Sequence, residues 1–395
     1  MKVAYVTMQF PAPSETFASS DVRVLKEMGL DVSVYALRAA HLNHDAMVQR
    51  RSLETVDICS VGFLRTVKGL FYTLSQPLLF FMLLVVLVKK DVRKARHFFK
   101  MLLLIPSSFY ILHQLKKKPP DVVHLFWGHY PSLVGFLILK KMPRVKLTTF
   151  LGAYDLEYKL GISVHVANGA YAVFTHAYAN LDQLNVIGVS NPGTYVVHRG
   201  VDASRLIELV NKRGPRVSGA WLTAGRLLPS KGFDGVVKLF QAARQVYCGT
   251  TLTIAGDGPE RDAITNMIEA AGIKAEVKLT GHLAHDDLVG LMAESDFFFL
   301  FSRKAGERLP NTIKEAMLSG CICFTTSTLG IEELIEHGVT GFIVEQSRQD
   351  ICLDFIKQLT PDNKEKVRAA ALKHIVENFD ARKNMSEYVA VWGGV

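Results

Sequence analysis

Three short stretches of this chain carry residue types suited to gripping anions or hydroxyl groups. Gly225-Arg226-Leu227-Leu228-Pro229-Ser230-Lys231-Gly232 follows an apolar strand pattern and opens a helical one. Glycines let the backbone turn sharply, and a helix N-terminus offers free N–H groups to an anion. Arg226 and Lys231 add two cations that suit a diphosphate. The plainer reading is a βα loop with solvated charges.

A second stretch, Gly306 to Met317, follows the apolar run Phe297–Ser302. Pro310 suits a helix start and Gly320 its C-terminal end. Glu307 then lies in the loop before the helix, and Glu315 lies eight residues on, within it. Two carboxylates so placed can hold two parts of one polyhydroxylated ligand, with the amides of Leu309 to Thr312 aimed at the same place. The plainer reading is one solvated glutamate and one favoured by the helix dipole.

The third stretch, Gly256-Asp257-Gly258-Pro259-Glu260-Arg261, begins like a dinucleotide fingerprint. Its sixth position is Arg261, where close helix–strand packing needs a small residue. A nicotinamide dinucleotide site is therefore disfavoured.

Positioning these loops requires sheets. Short apolar strands alternate with helical patterns from Val3–Thr7, Thr16–Met28 and Val32–Ala36, through Val122–Phe126 and Leu147–Phe150. The rhythm resumes at Ala220–Ala224 and runs through Thr251–Ala255, Val277–Thr280 and Phe297–Phe301. Continuous apolar strands alternating with helices imply parallel sheets covered on both faces. The polar, Gly- and Pro-bearing stretch 203–217 reads as an interdomain linker. The expectation is an α/β chain of two doubly wound, Rossmann-like domains facing each other across a cleft. Residues 1–202 form an acceptor-side domain, 218–375 a ligand-binding domain, and 376–395 a helix that packs back on the first. With 395 residues and 49% of them apolar, the chain can fill two cores.

The five cysteines are scattered without a CxxC, which suits reduced thiols. The first residues run straight into a strand pattern, so no signal peptide is expected. The net charge of +9 is concentrated: residues 65–118 hold eleven Lys or Arg and one acid, Asp91. Because this segment is interleaved with long apolar runs, it suits an anionic membrane surface and argues against nucleic acid. Phe71–Val88 is uncharged but interrupted by Ser75, Gln76 and Pro77. The remaining eleven residues, Leu78–Val88, span about 17 Å as helix against a hydrocarbon core of about 30 Å. A second short run, Met101–Ile111, contains Pro106. The expectation is docking on the membrane without crossing it; the alternative is a pair of core helices.

Taken together, these three stretches, with Gly330-Ile331-Glu332-Glu333-Leu334-Ile335-Glu336-His337-Gly338-Val339-Thr340-Gly341-Phe342-Ile343-Val344, resemble family 4 of the glycosyltransferases. Phe10 to Phe17 and His198-Arg199-Gly200-Val201-Asp202 are similar to its bacterial exopolysaccharide branch. The resemblance implies a retaining GT-B enzyme that moves a sugar from a UDP- or GDP-sugar to a glycan or lipid-linked acceptor. It implies no cofactor and no essential metal. Arg226 and Lys231 would hold the donor diphosphate, Glu315 the ribose and Glu307 the transferred sugar. Leu309, Pro310 and Asn311 would meet the phosphates and sugar, and Gly281-His282 would receive the base. On the acceptor side the family's His-Gly-x-Asp is replaced by Leu151-Gly152-Ala153-Tyr154-Asp155, and its glycine-rich first loop by Ser14 and Thr16. Asp155 and His129 are the catalytic candidates there. A cytoplasmic location, peripheral to the inner face of the plasma membrane, follows. The altered Leu151 motif leaves a second reading, a nucleotide-sugar-binding assembly subunit impaired in catalysis.

Overall fold

The computed structural model describes residues 1–13, 16–247, 249–303 and 307–393. The chain divides into two compact units, 1–199 with 381–395, and 200–380.

Among the described residues, the first unit has seven parallel strands. They are β1 (Lys2–Thr7), β2 (Asp31–Ala36), β3 (Asp57–Ser60), β4 (Val122–Phe126), β5 (Lys146–Phe150), β6 (Ala172–Thr175) and β7 (Thr194–Val196), in the order β3-β2-β1-β4-β5-β6-β7. The second unit has six, β8 (Ala220–Ala224), β9 (Thr251–Ala255), β10 (Val277–Gly281), β11 (Phe297–Leu300), β12 (Ile322–Thr326) and β13 (Phe342–Val344), in the order β10-β9-β8-β11-β12-β13. Both are doubly wound Rossmann-like sheets. Strand order reverses between β1 and β4 in one and between β8 and β11 in the other. At such a switch point the loops leaving the carboxyl ends diverge and open a crevice for ligand.

The central strands bury nearly every side chain: β4 is buried at all five positions and β12 likewise, whereas the edge strands β3 and β10 bury none fully. In the second unit Trp221 packs on Phe299, with ring centroids 4.4 Å apart, and Phe299 stacks on Phe324 at 5.2 Å. Burying such a ring is worth about 1.5–3 kcal/mol. Stability is therefore concentrated in the strands, and the loops at their carboxyl ends are left for binding.

Three expectations about organisation change. Residues 203–217 are not simply a linker, because Ala203–Asn211 is a helix of the second unit. Asp202 caps it, accepting the Arg205 N–H at 3.1 Å, and its amphipathic face buries Ala203 and Leu206. The chain leaves the first unit after Arg199 and returns to it at Ala381, instead of at 202 and 376. The returning helix Ala381–Trp392 buries Met385, Tyr388 and Trp392 in the core beside Tyr5 and Phe174. Finally, the run 101–111 is part of one helix, Ala95–Lys117, that continues through Pro106. Proline removes one helical bond, but Met101, Ile105, Phe109, Ile111, Leu112 and Leu115 are buried along its length. That burial outweighs the lost bond and holds the helix together.

Candidate functional site

The loop after β8 and the loop after β11 meet at the switch point of the second sheet. Gly232 makes this approach possible. Its φ of +71° is left-handed, and a Cβ there would lie 2.0 Å from the Phe301 carbonyl oxygen. The Arg303 N–H donates to the Ser230 carbonyl at 2.8 Å, tying the loops together. Across this junction Lys231 forms an ion pair with Glu307, and the Ser302 hydroxyl donates to the other oxygen of the same carboxylate. Both charged side chains are mostly buried, at 24% and 16% exposure. Arg226 is exposed, and its side chain meets no acid among the described residues.

Glu307 leads into a strained turn. Leu309 is buried and sits at φ +49°, a left-handed conformation that a branched side chain rarely adopts. Such strain persists only where the surroundings enforce it, and it collects at ligand clamps. Pro310 follows as N-cap of the helix Asn311–Leu318, which buries Ile313, Ala316 and Met317. Glu315 projects from this helix, and its Oε1 lies 3.1 Å from His285 Nε2. His285 opens the helix His285–Glu294 just beyond β10. The hydrogen bond to Glu315 raises the His285 pKa, with burial opposing it. Gly281, at φ +73°, and the exposed His282 precede that helix.

The Gly256–Arg261 stretch has a structural explanation. A Cβ on Gly256 would lie 1.9 Å from the Gly225 carbonyl oxygen, and one on Gly258 would lie 2.5 Å from that of Leu227. Backbone bonds join the same segments: Gly225 N–H to Ala255 carbonyl, 3.0 Å, and Leu227 N–H to Asp257 carbonyl, 3.0 Å. These glycines extend the β8–β9 contact beyond the strands. They shape the loop bearing Arg226 and Lys231.

In the first unit, Asp155 and His129 come together at the carboxyl ends of β4 and β5. Asp155 is fully buried, and burial pushes its carboxyl up to about 7, against hydrogen bonds from nearby backbone N–H groups. Its Oδ2 accepts the Gly152 N–H at 2.9 Å and so caps its own helix, Ala153–Tyr158. A Cβ on Gly128 would lie 3.3 Å from its Oδ1, which places the loop of His129 against this carboxyl. Burial holds His129 down at about 3. Its Nδ1 accepts the Tyr130 N–H at 2.8 Å, so the neutral ring carries its proton on Nε2. It can donate from that edge. Leu151 is buried behind Gly128. Thr16 is exposed at the start of the helix Thr16–Glu27. Ser14 and Gly306 lie outside the described residues.

The sequence reading did not single out His285 or Ser302, and it named Arg199 only within the His198–Asp202 resemblance, without a role. Arg199 is buried 4.1 Å from the Phe150 ring and 4.5 Å from the Phe126 ring, and pairs with Asp21 at 3.2 Å. Ser302 ends an apolar strand run and His285 opens a helix, so the rule that ligands sit at strand carboxyl ends could have flagged both.

Residues 219–388, most of the second unit and the start of the returning helix, match the family model described as Glycosyl transferases group 1. Among curated proteins, an uncharacterized glycosyltransferase of Haemophilus influenzae is 30% identical over 165 residues, covering 41% of this chain and 42% of the relative. A GDP-mannose-dependent alpha-(1-6)-phosphatidylinositol monomannoside mannosyltransferase of Mycobacterium tuberculosis is 28% identical over 151 residues, covering 37% and 39%. The matches thus span about two fifths of these relatives' length. Among solved structures, Anabaena HepE in complex with UDP has a TM-score of 0.72 at 17% identity, covering 100% of both chains. The same protein with UDP-glucose has a TM-score of 0.68 at 16% identity, again covering 100% of both. A glycosyltransferase of Rickettsia africae has a TM-score of 0.71 at 13% identity, covering 99% of this chain and 97% of that one. These structural neighbours are GT-B glycosyltransferases, and at such identities the likeness speaks for fold.

Proposed function

We propose that this chain is a retaining family 4 glycosyltransferase that moves a sugar from a UDP- or GDP-sugar to a glycan or lipid-linked acceptor in cell-surface polysaccharide synthesis. The observation that carries the reading is the Lys231–Glu307–Ser302 cluster at the switch point of the second sheet. A diphosphate entering there is a stronger partner for Lys231 than a single carboxylate, since charge-assisted bonds to phosphate oxygens are strong. Lys231 would turn to the phosphates, with Arg226 beside it, and release Glu307 to accept bonds from sugar hydroxyls. Glu315 would exchange His285 for the ribose hydroxyls. The turn at Leu309–Asn311 would present amides to the phosphates and sugar, and Gly281-His282 would border the base. No step calls for a metal.

On the acceptor side, His129 would donate from Nε2 and Asp155 would hold the loop beside it. The UDP and UDP-glucose held by HepE and the GDP-mannose dependence of the mycobacterial relative support a uridine or guanosine diphosphate donor. The enzyme would work in the cytoplasm, peripheral to the inner face of the plasma membrane. Incubating the chain with UDP- and GDP-sugars and following nucleotide release, with and without lipid-linked acceptors, tests the reading. Release of no nucleotide from any donor, despite measured donor binding, would favour the second reading, an assembly subunit impaired in catalysis. The buried Leu151, in the place of a family histidine, supports that alternative.

A further inference from the structure

A surface helix normally turns its apolar stripe inward. The helix Phe63–Leu74 turns much of it outward. Its buried positions are Gly69 and Thr73. A Cβ on Gly69 would lie 2.0 Å from the Pro106 carbonyl oxygen, so glycine lets this helix lie directly on Ala95–Lys117. The far side carries Phe63, Leu64, Phe71 and Leu74, which are 82, 75, 67 and 68% exposed. The next helix, Pro77–Asp91, bends away by 100° and adds Leu78 at 73%. Leu103 of the third helix is 76% exposed. An apolar surface of this extent marks an interaction site.

The charges around it are of one sign. Of the eleven Lys and Arg in 65–118, ten are exposed, Lys94 being the exception. The segment's one acid, Asp91, is fully buried. Its carboxylate accepts the Gly161 N–H at 2.6 Å and the Ile162 N–H at 2.8 Å, which caps the helix Gly161–Gly169. The three-helix face therefore presents cations and no carboxylate of its own.

We propose that this face is a membrane-seating surface, with Phe63, Leu64, Phe71, Leu74, Leu78 and Leu103 among the acyl chains and the lysines and arginines at anionic headgroups. It deepens the membrane association proposed above and is independent of the donor chemistry. Two copies of the chain would bring like-charged rims together, which disfavours self-association through this face. Among the described residues, Ala95–Lys117 is the one helix long and apolar enough to cross a bilayer by itself. Its inner face, with Met101, Ile105 and Phe109, belongs to the core that also holds Val123 and Leu125 of β4. A crossing would tear β4 from β1, its partner in the sheet.

The test is co-sedimentation of the full chain with vesicles of phosphatidylcholine alone, or with equal parts phosphatidylglycerol, at low and high salt. Three proteins are compared: the wild type, a Leu64→Glu, Leu74→Glu, Leu103→Glu variant, and a Lys89→Ala, Lys90→Ala variant. The wild type sediments with the phosphatidylglycerol vesicles, is released by high salt, and comes off under an alkaline wash. The triple variant stays in the supernatant with an unchanged melting temperature. Each lysine removed lowers partitioning about fivefold. Nucleotide affinity measured in parallel stays constant across the three, which separates failure here from failure of the donor reading. The proposal is overturned by wild type that stays in the supernatant, by a triple variant that still sediments, or by binding indifferent to phosphatidylglycerol. Retention through the alkaline wash, or a dimer in solution that the triple variant abolishes, overturns it equally.

Discussion

His285 Nε2 lies 3.1 Å from Glu315 Oε1, joining the first turn of one helix to the middle of another across 30 residues of sequence. The pair is asymmetric. His285 is half exposed, whereas the Glu315 side chain is 13% exposed. The carboxylate holds the imidazolium, so the His285 pKa lies above its ordinary value.

This pair makes stability depend on pH. A histidine whose folded pKa is raised stabilises the fold fully below its unfolded value of about 6.5, and the contribution fades as pH rises through the folded value. Half exposure and solvent screening keep it under about 1 kcal/mol. The His285→Gln variant should melt below the wild type under mildly acidic conditions and match it under alkaline ones. A gap between the two melting curves that does not change with pH would contradict the pairing.

Glu315→Ala and Lys231→Ala should each weaken nucleotide binding while the fold survives, because Lys231 lies in the loop after β8 and Glu315 on the helix that follows β11, both outside the aromatic core. Loss of a charge-assisted bond costs roughly 1.5–3 kcal/mol, or about 10- to 150-fold in affinity. Calorimetric titration with UDP and GDP provides the measurement. Unchanged affinity in both variants would refute the donor-site assignment.

Glu307→Gln should lower turnover much more than it lowers nucleotide affinity. The amide keeps the shape but loses the charge, and an interaction made mainly in the transition state acts on kcat and not on ground-state binding. The test compares kcat with the nucleotide dissociation constant in the same preparation. Equal losses in the two quantities would show that Glu307 serves nucleotide binding alone.

Asp155 titrates near 7 in the fold, against about 3.9 in an unfolded chain. The folded state therefore binds the extra proton between those values, and this group makes stability fall as pH rises from about 4 to about 7. Asp155→Asn keeps an acceptor for the Gly152 N–H and removes the titration. Its melting temperature should gain on the wild type as pH rises through that window and level off above it. A constant difference at all pH values would mean that Asp155 is already charged at low pH in the fold.

Much of the second unit was legible along the chain. The alternation of apolar strands with helical patterns, and the placing of Gly225–Gly232 and Glu307–Glu315 after strands, depend on periodicity, turn residues and helix caps, which are local properties. Those rules also placed Glu307 in a loop and Glu315 in a helix. The resemblance then supplied their roles.

Tertiary structure decided what those residues touch. Lys231 meets Glu307 because β8 and β11 are neighbours in the sheet, although 76 residues separate the two side chains. No local pattern reveals strand order. Gly256 and Gly258 begin like a dinucleotide fingerprint that Arg261 already disfavours, and the approach of Gly225 and Leu227 gives them a packing role. The same holds for the helices. Pro106 reads as a breaker from its own chemistry, but burial of one face of Ala95–Lys117 outweighs one lost hydrogen bond. Along the sequence Asp91 is only the one acid of a basic segment. The fold buries it as a cap for a helix that begins 70 residues later, which leaves the segment's surface positive. Local sequence determines which elements form; which side chains they bring together depends on how distant elements pack.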